Sequence, residues 1–193
     1  KWCGAGGWRL GTIIIPDELE KIKQAIINVS SETFSCVSSP IQYASVVAYQ
    51  DKKYINDYLF HSRRILKVIG DYCYEELKNA KVKLHKHDGG FYLFPDFSNY
   101  SSSLHSMGIR TSSQFCEQLL IDTGVALLPG SAFCRPKNEF TARLAYVNFD
   151  GARALKLSKK SKSIDFSASE LGDVLNPVNA GIKFLIDWLN KKN

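Results

Sequence analysis

The chain has 193 residues, 45% of them hydrophobic, and a mean hydropathy of −0.17. These values indicate a soluble globular protein with enough apolar sequence to bury a core in one domain or two small ones. The sequence contains no run of about 18 apolar residues and no signal-peptide pattern, so it predicts a cytoplasmic protein that spans no membrane.

The charge and the potential metal ligands argue against two further classes of function. The net charge of +6 comes from separate lysine clusters without interleaved aromatic residues, which predicts solvated surface and no nucleic-acid partner. The five cysteines are an odd number without a CxxC pair, which argues against a disulfide framework and a zinc site. His85, His87 and Asp88 could ligate a metal, but this pattern is more typical of a solvated hairpin, and no metal is predicted.

The first forty residues predict a loop, a strand and a helix. Residues 1–11 are rich in glycine and predict a loop, and residues 8–15 predict a strand that ends at Pro16. A helix is expected from Asp17 to about Val29, where leucine and isoleucine recur at helical spacing. One strand and one helix cannot enclose a core, so we expect them to belong to a larger sheet whose other strands lie outside this sequence.

The remaining residues predict an α/β arrangement in which long helices cover a small antiparallel sheet. Pro40 is well placed in the first turn of a helix toward Gln50, and apolar spacing predicts one long helix over residues 52–80. We further predict a hairpin of strands 82–84 and 91–94, a loop over 98–113, a helix ended by Gly124, strands at 125–128 and 141–147, one or two helical turns within 150–160, a loop over 161–172 and a helix over 174–189.

The first motif with chemical meaning is the spacing of Lys1, Gly7, Arg9 and Gly11. It resembles the lysine-to-arginine segment of the fold-type I pyridoxal-phosphate (PLP) enzymes, the aspartate aminotransferase superfamily. The resemblance implies that Lys1 forms a Schiff base with PLP and moves a proton at the substrate Cα, which requires a neutral amine. It also implies that Arg9 binds the cofactor phosphate, for which a guanidinium fork is suited. The alternative is an ordinary glycine-rich connection.

The second motif joins residues 129–133, Pro-Gly-Ser-Ala-Phe, to the strand at 141–147. It resembles the segment of the same family that carries the arginine for the substrate α-carboxylate, a role that falls to Arg143. In a strand, Arg143 shares a face with Ala145 and Val147, and a charge on an apolar face is costly unless it meets an anion. The alternative for Arg143 is a structural salt bridge to an acidic side chain.

Three further segments, 35–42, 52–80 and 89–94, resemble family segments in the same order along the chain. The resemblance therefore implies the C-terminal part of a PLP-dependent transferase fold. Residues 1–45 would form the last strand and helix of the large PLP-binding domain with a linker, and residues 46–193 the small C-terminal α/β domain.

The implied activity is that of a class I/II aminotransferase, which moves an amino group between an amino acid and a 2-oxo acid, in a homodimer. Dicarboxylate-specific members carry an arginine before the interdomain helix, and residues 31–42 contain neither arginine nor lysine. The family's other cofactor-binding groups precede the lysine, so the isolated chain is expected to hold only part of the pocket. Alternatives on the same fold are a lyase, a synthase or a sensory module of a transcription regulator.

Overall fold

The computed structural model describes residues 2–34, 36–50, 52–161, 163 and 165–191. Within these residues the helices are α1 (Glu20–Thr33), α2 (Ser39–Ala48), α3 (Lys53–Asn79), α4 (Ser101–Ser106), α5 (Ser112–Thr123), α6 (Gly151–Lys160), α7 (Ala168–Leu171) and α8 (Asn176–Lys191). The strands are β1 (Tyr92–Leu93), β2 (Leu128–Pro129) and β3 (Ala142–Ala145). The chain divides into two compact units, residues 1–60 and 61–193, which are described separately. In the described ranges, no helix has the length and apolar character needed to cross a membrane.

In the first unit, the predicted helices are confirmed and the predicted strand at 8–15 is wrong. α1 follows a short helical turn at Asp17–Leu19, and α2 has Pro40 in its first turn. The chain between Arg9 and Pro16 is irregular, and Ile14 is 95% exposed. A strand needs a partner for its backbone groups, and the described part of this unit offers no second strand.

The apolar side chains of the first unit remain accessible to water. None of the described residues between 2 and 50 is buried, and the isoleucines of α1 that recur at helical spacing lie exposed. Ile22 and Ile27, for example, are 52% and 50% exposed. The predicted helix is therefore confirmed. Its apolar face, which such spacing usually buries against a core, is not buried within the described part of the unit.

The second unit contains a three-stranded antiparallel sheet in the order β1-β3-β2. Tyr92 of β1 lies opposite Ala145 of β3, and Leu128 of β2 lies opposite Arg143. The predicted hairpin of 82–84 with 91–94 is wrong, because β1 pairs with β3 and Lys83 forms an isolated bridge with Asp96.

The connection between Lys83 and β1 packs on α3 instead of closing a tight hairpin. The His87 side chain lies against Gly70 of α3, where an added Cβ would crowd the imidazole ring and lie 2.8 Å from the Tyr146 hydroxyl. Gly70, a weak helix former in the interior of α3, therefore permits a close approach between the connection and the helix.

The core of the second unit is organised by one stripe of α3. Ile65, Ile69, Cys73 and Leu77 recur every four residues, and each is 3% exposed or less. Each fully buried side chain of this size contributes about 1.5–3 kcal/mol relative to an exposed one. They join a single cluster with buried residues of the sheet and the later helices, including Leu93, Phe97, Phe115, Leu119, Leu144, Tyr146, Leu171, Leu185 and Leu189.

Several later segments are more helical than predicted. The predicted loop at 98–113 contains α4, because burial of Tyr100 and Leu104 outweighs the weak helix propensity of its serines. α6 extends over ten residues, since its first turn is capped by a 3.0 Å hydrogen bond from the Arg153 backbone N–H to the Asp150 carboxylate. α7 interrupts the predicted loop at 161–172. The helix end at Gly124 is confirmed, with a φ of 75°.

The five thiols differ in their surroundings, and this difference is testable by chemical labelling. Burial raises the pKa of Cys73 and of Cys116 to about 12, whereas Cys36 and Cys134 are exposed. At pH 8 a disulfide reagent should therefore modify the thiols of Cys36 and Cys134 rapidly. It should modify Cys73 and Cys116 no faster than the protein unfolds. Peptide mass mapping over time would measure this order, and early modification of Cys73 in folded protein would contradict it.

Candidate active site

The first candidate segment is the loop that follows Lys1, a residue that lies outside the described ones. Two short helical turns, Trp2–Gly4 and Gly6–Trp8, are separated by Ala5. Gly4 has a φ of +68°, and an added Cβ would collide with the Tyr58 hydroxyl of the same unit. Glycine at position 4 is thus required by both backbone conformation and space.

Tyr49, directly after α2, holds this loop through two contacts. Its ring stacks on Trp2 with a centroid distance of 4.9 Å and an interplanar angle of 21°. Its hydroxyl forms a 2.7 Å hydrogen bond with the Thr12 Oγ1. One side chain therefore fixes both ends of the segment from residue 2 to residue 12, which includes Arg9.

Removing the Tyr49 ring should loosen the loop more than removing its hydroxyl. In Tyr49→Ala we expect faster amide hydrogen exchange over residues 2–12, because both contacts are lost. Tyr49→Phe keeps the stacking and loses only the hydrogen bond, so exchange there should rise by a smaller factor. Equal exchange rates in wild type and Tyr49→Ala would contradict this role, and Tyr43→Ala, at an 80% exposed position on α2, is the matched control.

Arg9 closes the second turn and presents an exposed side chain. Its φ is 55°, and its backbone N–H donates a 3.3 Å hydrogen bond to the Gly6 carbonyl. In the part of the chain that the structure describes, no acidic side chain forms an ion pair with Arg9. A Cβ added at Gly6 or Gly7 would meet nothing within 4 Å. The exposed Arg9 side chain is therefore available to bind an anion.

Arg143 is placed on the central strand of the second unit. Ala142, Leu144 and Tyr146 of the same segment are buried in the core, so strand alternation turns Arg143 to the opposite face. This face is shared with Ala145 and Val147, as the sequence predicted, but both of these residues are exposed. Arg143 is half-buried on an accessible apolar face of the sheet.

Two aromatic rings contact the Arg143 guanidinium. Its Cζ lies 4.3 Å from the ring centroid of Tyr92 on β1 and 4.8 Å from that of Phe133, in the turn that follows β2. These are cation–π distances. The expected alternative, a salt bridge to an acidic side chain, is not found among the described residues. Arg143 is therefore a cation in contact with two aromatic rings, and no carboxylate of the described residues occupies its N–H donors.

Sequence reasoning did not identify Tyr92 and Phe133 as partners of Arg143. The signal was present, because both belong to the segments that carry the family resemblance, 89–94 and 129–133. Pairing them with Arg143 required the strand order, which brings β1 and β2 to either side of β3.

His87, in the connection before β1, lies beside Asp71 of α3. The His87 side chain is 7% exposed, so the prediction of solvated histidines is wrong for this residue, and its Nε2 lies 3.6 Å from the Asp71 Oδ1. Burial alone would raise the pKa of Asp71, but hydrogen bonds from Lys67 and Lys86 outweigh this effect and lower it. Within the described residues, no group of three His, Cys, Asp or Glu side chains is placed to hold a metal ion.

Comparison with known proteins assigns this arrangement to a family. Residues 1–146 match the family "Aminotransferase class I and II", and the chain belongs to it. The chain is 34% identical to the aspartate aminotransferase of Thermotoga maritima over 131 residues, which cover 67% of the chain and 29% of that protein. It is 35% identical to a probable N-acetyl-LL-diaminopimelate aminotransferase of Bacillus subtilis over 127 residues, or 66% of the chain and 29% of that protein.

The structural comparison agrees on the fold. The aromatic aminotransferase of Pyrococcus horikoshii matches 96% of the chain and 40% of its own length, with a TM-score of 0.59 and 21% identity. The predicted fold class, part of a PLP-dependent α/β transferase, is thereby confirmed. The chain spans about three tenths of the length of the curated relatives that it matches.

Proposed function

We propose that the protein to which this chain belongs is a PLP-dependent aminotransferase that moves an amino group between an amino acid and a 2-oxo acid. Residues 1–45 would complete its large cofactor-binding domain, and residues 46–193 would form its small domain. The observation that carries the proposal is Arg143, a guanidinium on an accessible sheet face without an acidic partner among the described residues. Such a group is suited to bind the carboxylate of a substrate.

The residues of the first unit fit a phosphate-bearing cofactor. Arg9 would hold the phosphate through its guanidinium donors, and the open space beside Gly6 and Gly7 allows close approach of the backbone. Lys1 would bind the cofactor covalently through its amine. When bound, PLP supplies an electron sink that stabilises negative charge at the substrate Cα.

The chain's own residues divide the work of the reaction. Arg143 would bind the carboxylate of the substrate and so restrict how the substrate is oriented. Lys1, as a neutral amine, would accept the Cα proton of the donor amino acid and pass it to the carbon C4′ of the cofactor, as the exchange of an amino group requires. Arg9 would hold the phosphate of the cofactor by charge-assisted hydrogen bonds.

The substrates and the oligomeric state are proposed only in general terms. Several relatives are aspartate aminotransferases, yet residues 31–42 of this chain offer no basic side chain for a second carboxylate. We therefore propose only the general pair of amino acid and 2-oxo acid. A cytoplasmic homodimer is proposed from the family resemblance. The exposed isoleucines of α1 support a larger assembly, since such surfaces are usually covered.

The first test uses the full-length protein that carries this chain. PLP should produce the visible absorption band of a lysine-bound cofactor, and Lys1→Ala should abolish that band and lower kcat by several orders of magnitude. Lys21→Ala is the matched control and should change neither. Wild-type turnover in Lys1→Ala, or absence of the band, would refute the proposal. Product formation without a 2-oxo acid acceptor would indicate a lyase instead.

The second test separates the two arginines. Arg143→Gln should raise KM for the amino acid by about 10- to 100-fold, since charge-assisted hydrogen bonds contribute about 1.5–3 kcal/mol each. Arg9→Gln should instead raise the Kd for PLP by a similar factor. Arg153→Gln, which removes an exposed ion pair with Asp173, is the control and should leave both constants unchanged. An unchanged KM in Arg143→Gln would exclude its role as the carboxylate anchor.

A further inference from the structure

We infer that Tyr92 and Phe133 are positioning residues that hold the Arg143 guanidinium in the orientation that accepts a carboxylate. This inference rests on the proposed role of Arg143 as the anchor of the substrate carboxylate. Neither ring is assigned to contact the substrate. Both act through Arg143, whose Cζ they approach to 4.3 and 4.8 Å.

The two rings that contact Arg143 come from two separate elements. β3 lies between β1 and β2, Tyr92 belongs to β1, and Phe133 ends the Gly130–Phe133 turn that follows β2. An arginine side chain has several rotatable bonds and loses rotamer entropy when it is fixed. Contacts from two separate elements restrict this freedom before a ligand binds, so less entropy is lost on binding.

The chemistry of the contacts leaves the useful donors free. Aromatic faces carry partial negative charge and attract a cation, and they do so without placing a carboxylate oxygen on its N–H groups. A carboxylate binds at the edge, through two parallel N–H donors in the guanidinium plane. An acidic partner would compete for the same donors, and in the described part of the chain Arg143 has none. Aromatic contacts thus hold the arginine without blocking it.

The position of Phe133 is itself fixed by local structure. The Gly130 backbone N–H donates a 2.7 Å hydrogen bond to the Thr141 carbonyl, two residues before Arg143. A Cβ at position 130 would collide with the Thr141 side chain, so only glycine allows this approach of the turn to β3. Phe133 also packs edge-on against Phe94, with centroids 5.8 Å apart. The ring is therefore held from two directions.

The test is nuclear magnetic resonance on the full 193-residue chain, with acetate as the carboxylate probe. The Arg143 Nε–Hε resonance, identified by its loss in Arg143→Lys, should be shifted upfield by the rings and should respond to acetate. Tyr92→Leu and Phe133→Leu should each reduce the upfield shift and raise the Kd for acetate about two- to fivefold. Tyr92→Phe keeps the ring and should behave as wild type. Phe184→Leu, at a 52% exposed aromatic position on α8, is the matched control.

Three outcomes would overturn the inference: no acetate response of Arg143 in the wild type, an unchanged shift and Kd in both leucine variants, or equal losses in Tyr92→Phe and Tyr92→Leu. Circular dichroism of each variant checks folding. If Tyr92→Leu fails to fold, Phe133→Leu decides, since Phe133 is 37% exposed. These readouts need no PLP. An intact acetate response together with no PLP band in the full-length protein would refute the aminotransferase and leave the positioning role standing.

Discussion

The candidate carboxylate site depends on the register of one four-residue strand. Ala142 and Leu144 of β3, with Tyr146 directly after it, are fixed in the core, and this alternation alone turns Arg143 toward the accessible face. A shift of one residue would place the guanidinium in the core and Leu144 on the surface, which is unfavourable on both counts. Pairing with β1 and β2 on both sides fixes the register and also brings the two aromatic rings to Arg143.

The two units differ in how far they bury their own apolar side chains. The second unit buries its apolar residues in one cluster built on the α3 stripe. The first unit forms its helices but leaves their isoleucines exposed, and the segment at 8–15 that was predicted as a strand has no strand partner in the described residues. Local sequence is sufficient for helix formation, because helical hydrogen bonds are internal to the segment, whereas a strand requires another strand.

The same distinction explains what sequence reasoning could predict. α1, α2, α3, α5 and α8 were predicted within a few residues, because apolar spacing and the end signals at Pro40 and Gly124 are local. The hairpin was wrong, because strand partners are chosen by tertiary packing and β1 pairs with a strand fifty residues further along the chain. α4 was missed because buried Tyr100 and Leu104 stabilise a serine-rich helix.

For the candidate site, the family resemblance supplied Arg9 and Arg143, and the structure supplied their surroundings. Lys1 lies outside the described residues, so its role remains a prediction. Arg9 was placed in a loop, as the glycines indicated, and Tyr49 as the anchor of that loop could not be predicted, because 37 residues separate it from Thr12. Tyr92 and Phe133 lie in segments that carry the family resemblance, but their contact with one guanidinium depends on the order of the strands.

The close packing at Gly70 has a consequence for how the long helix tolerates change. In the interior of a helix, replacing glycine by alanine commonly stabilises a protein by about 0.4–1 kcal/mol, because the unfolded chain loses freedom. At position 70 the new methyl group would occupy space held by the His87 ring and the Tyr146 hydroxyl, which itself donates a hydrogen bond to the Gly90 carbonyl. The residue that most weakens α3 as an isolated helix therefore cannot be replaced by alanine without displacing His87 or Tyr146.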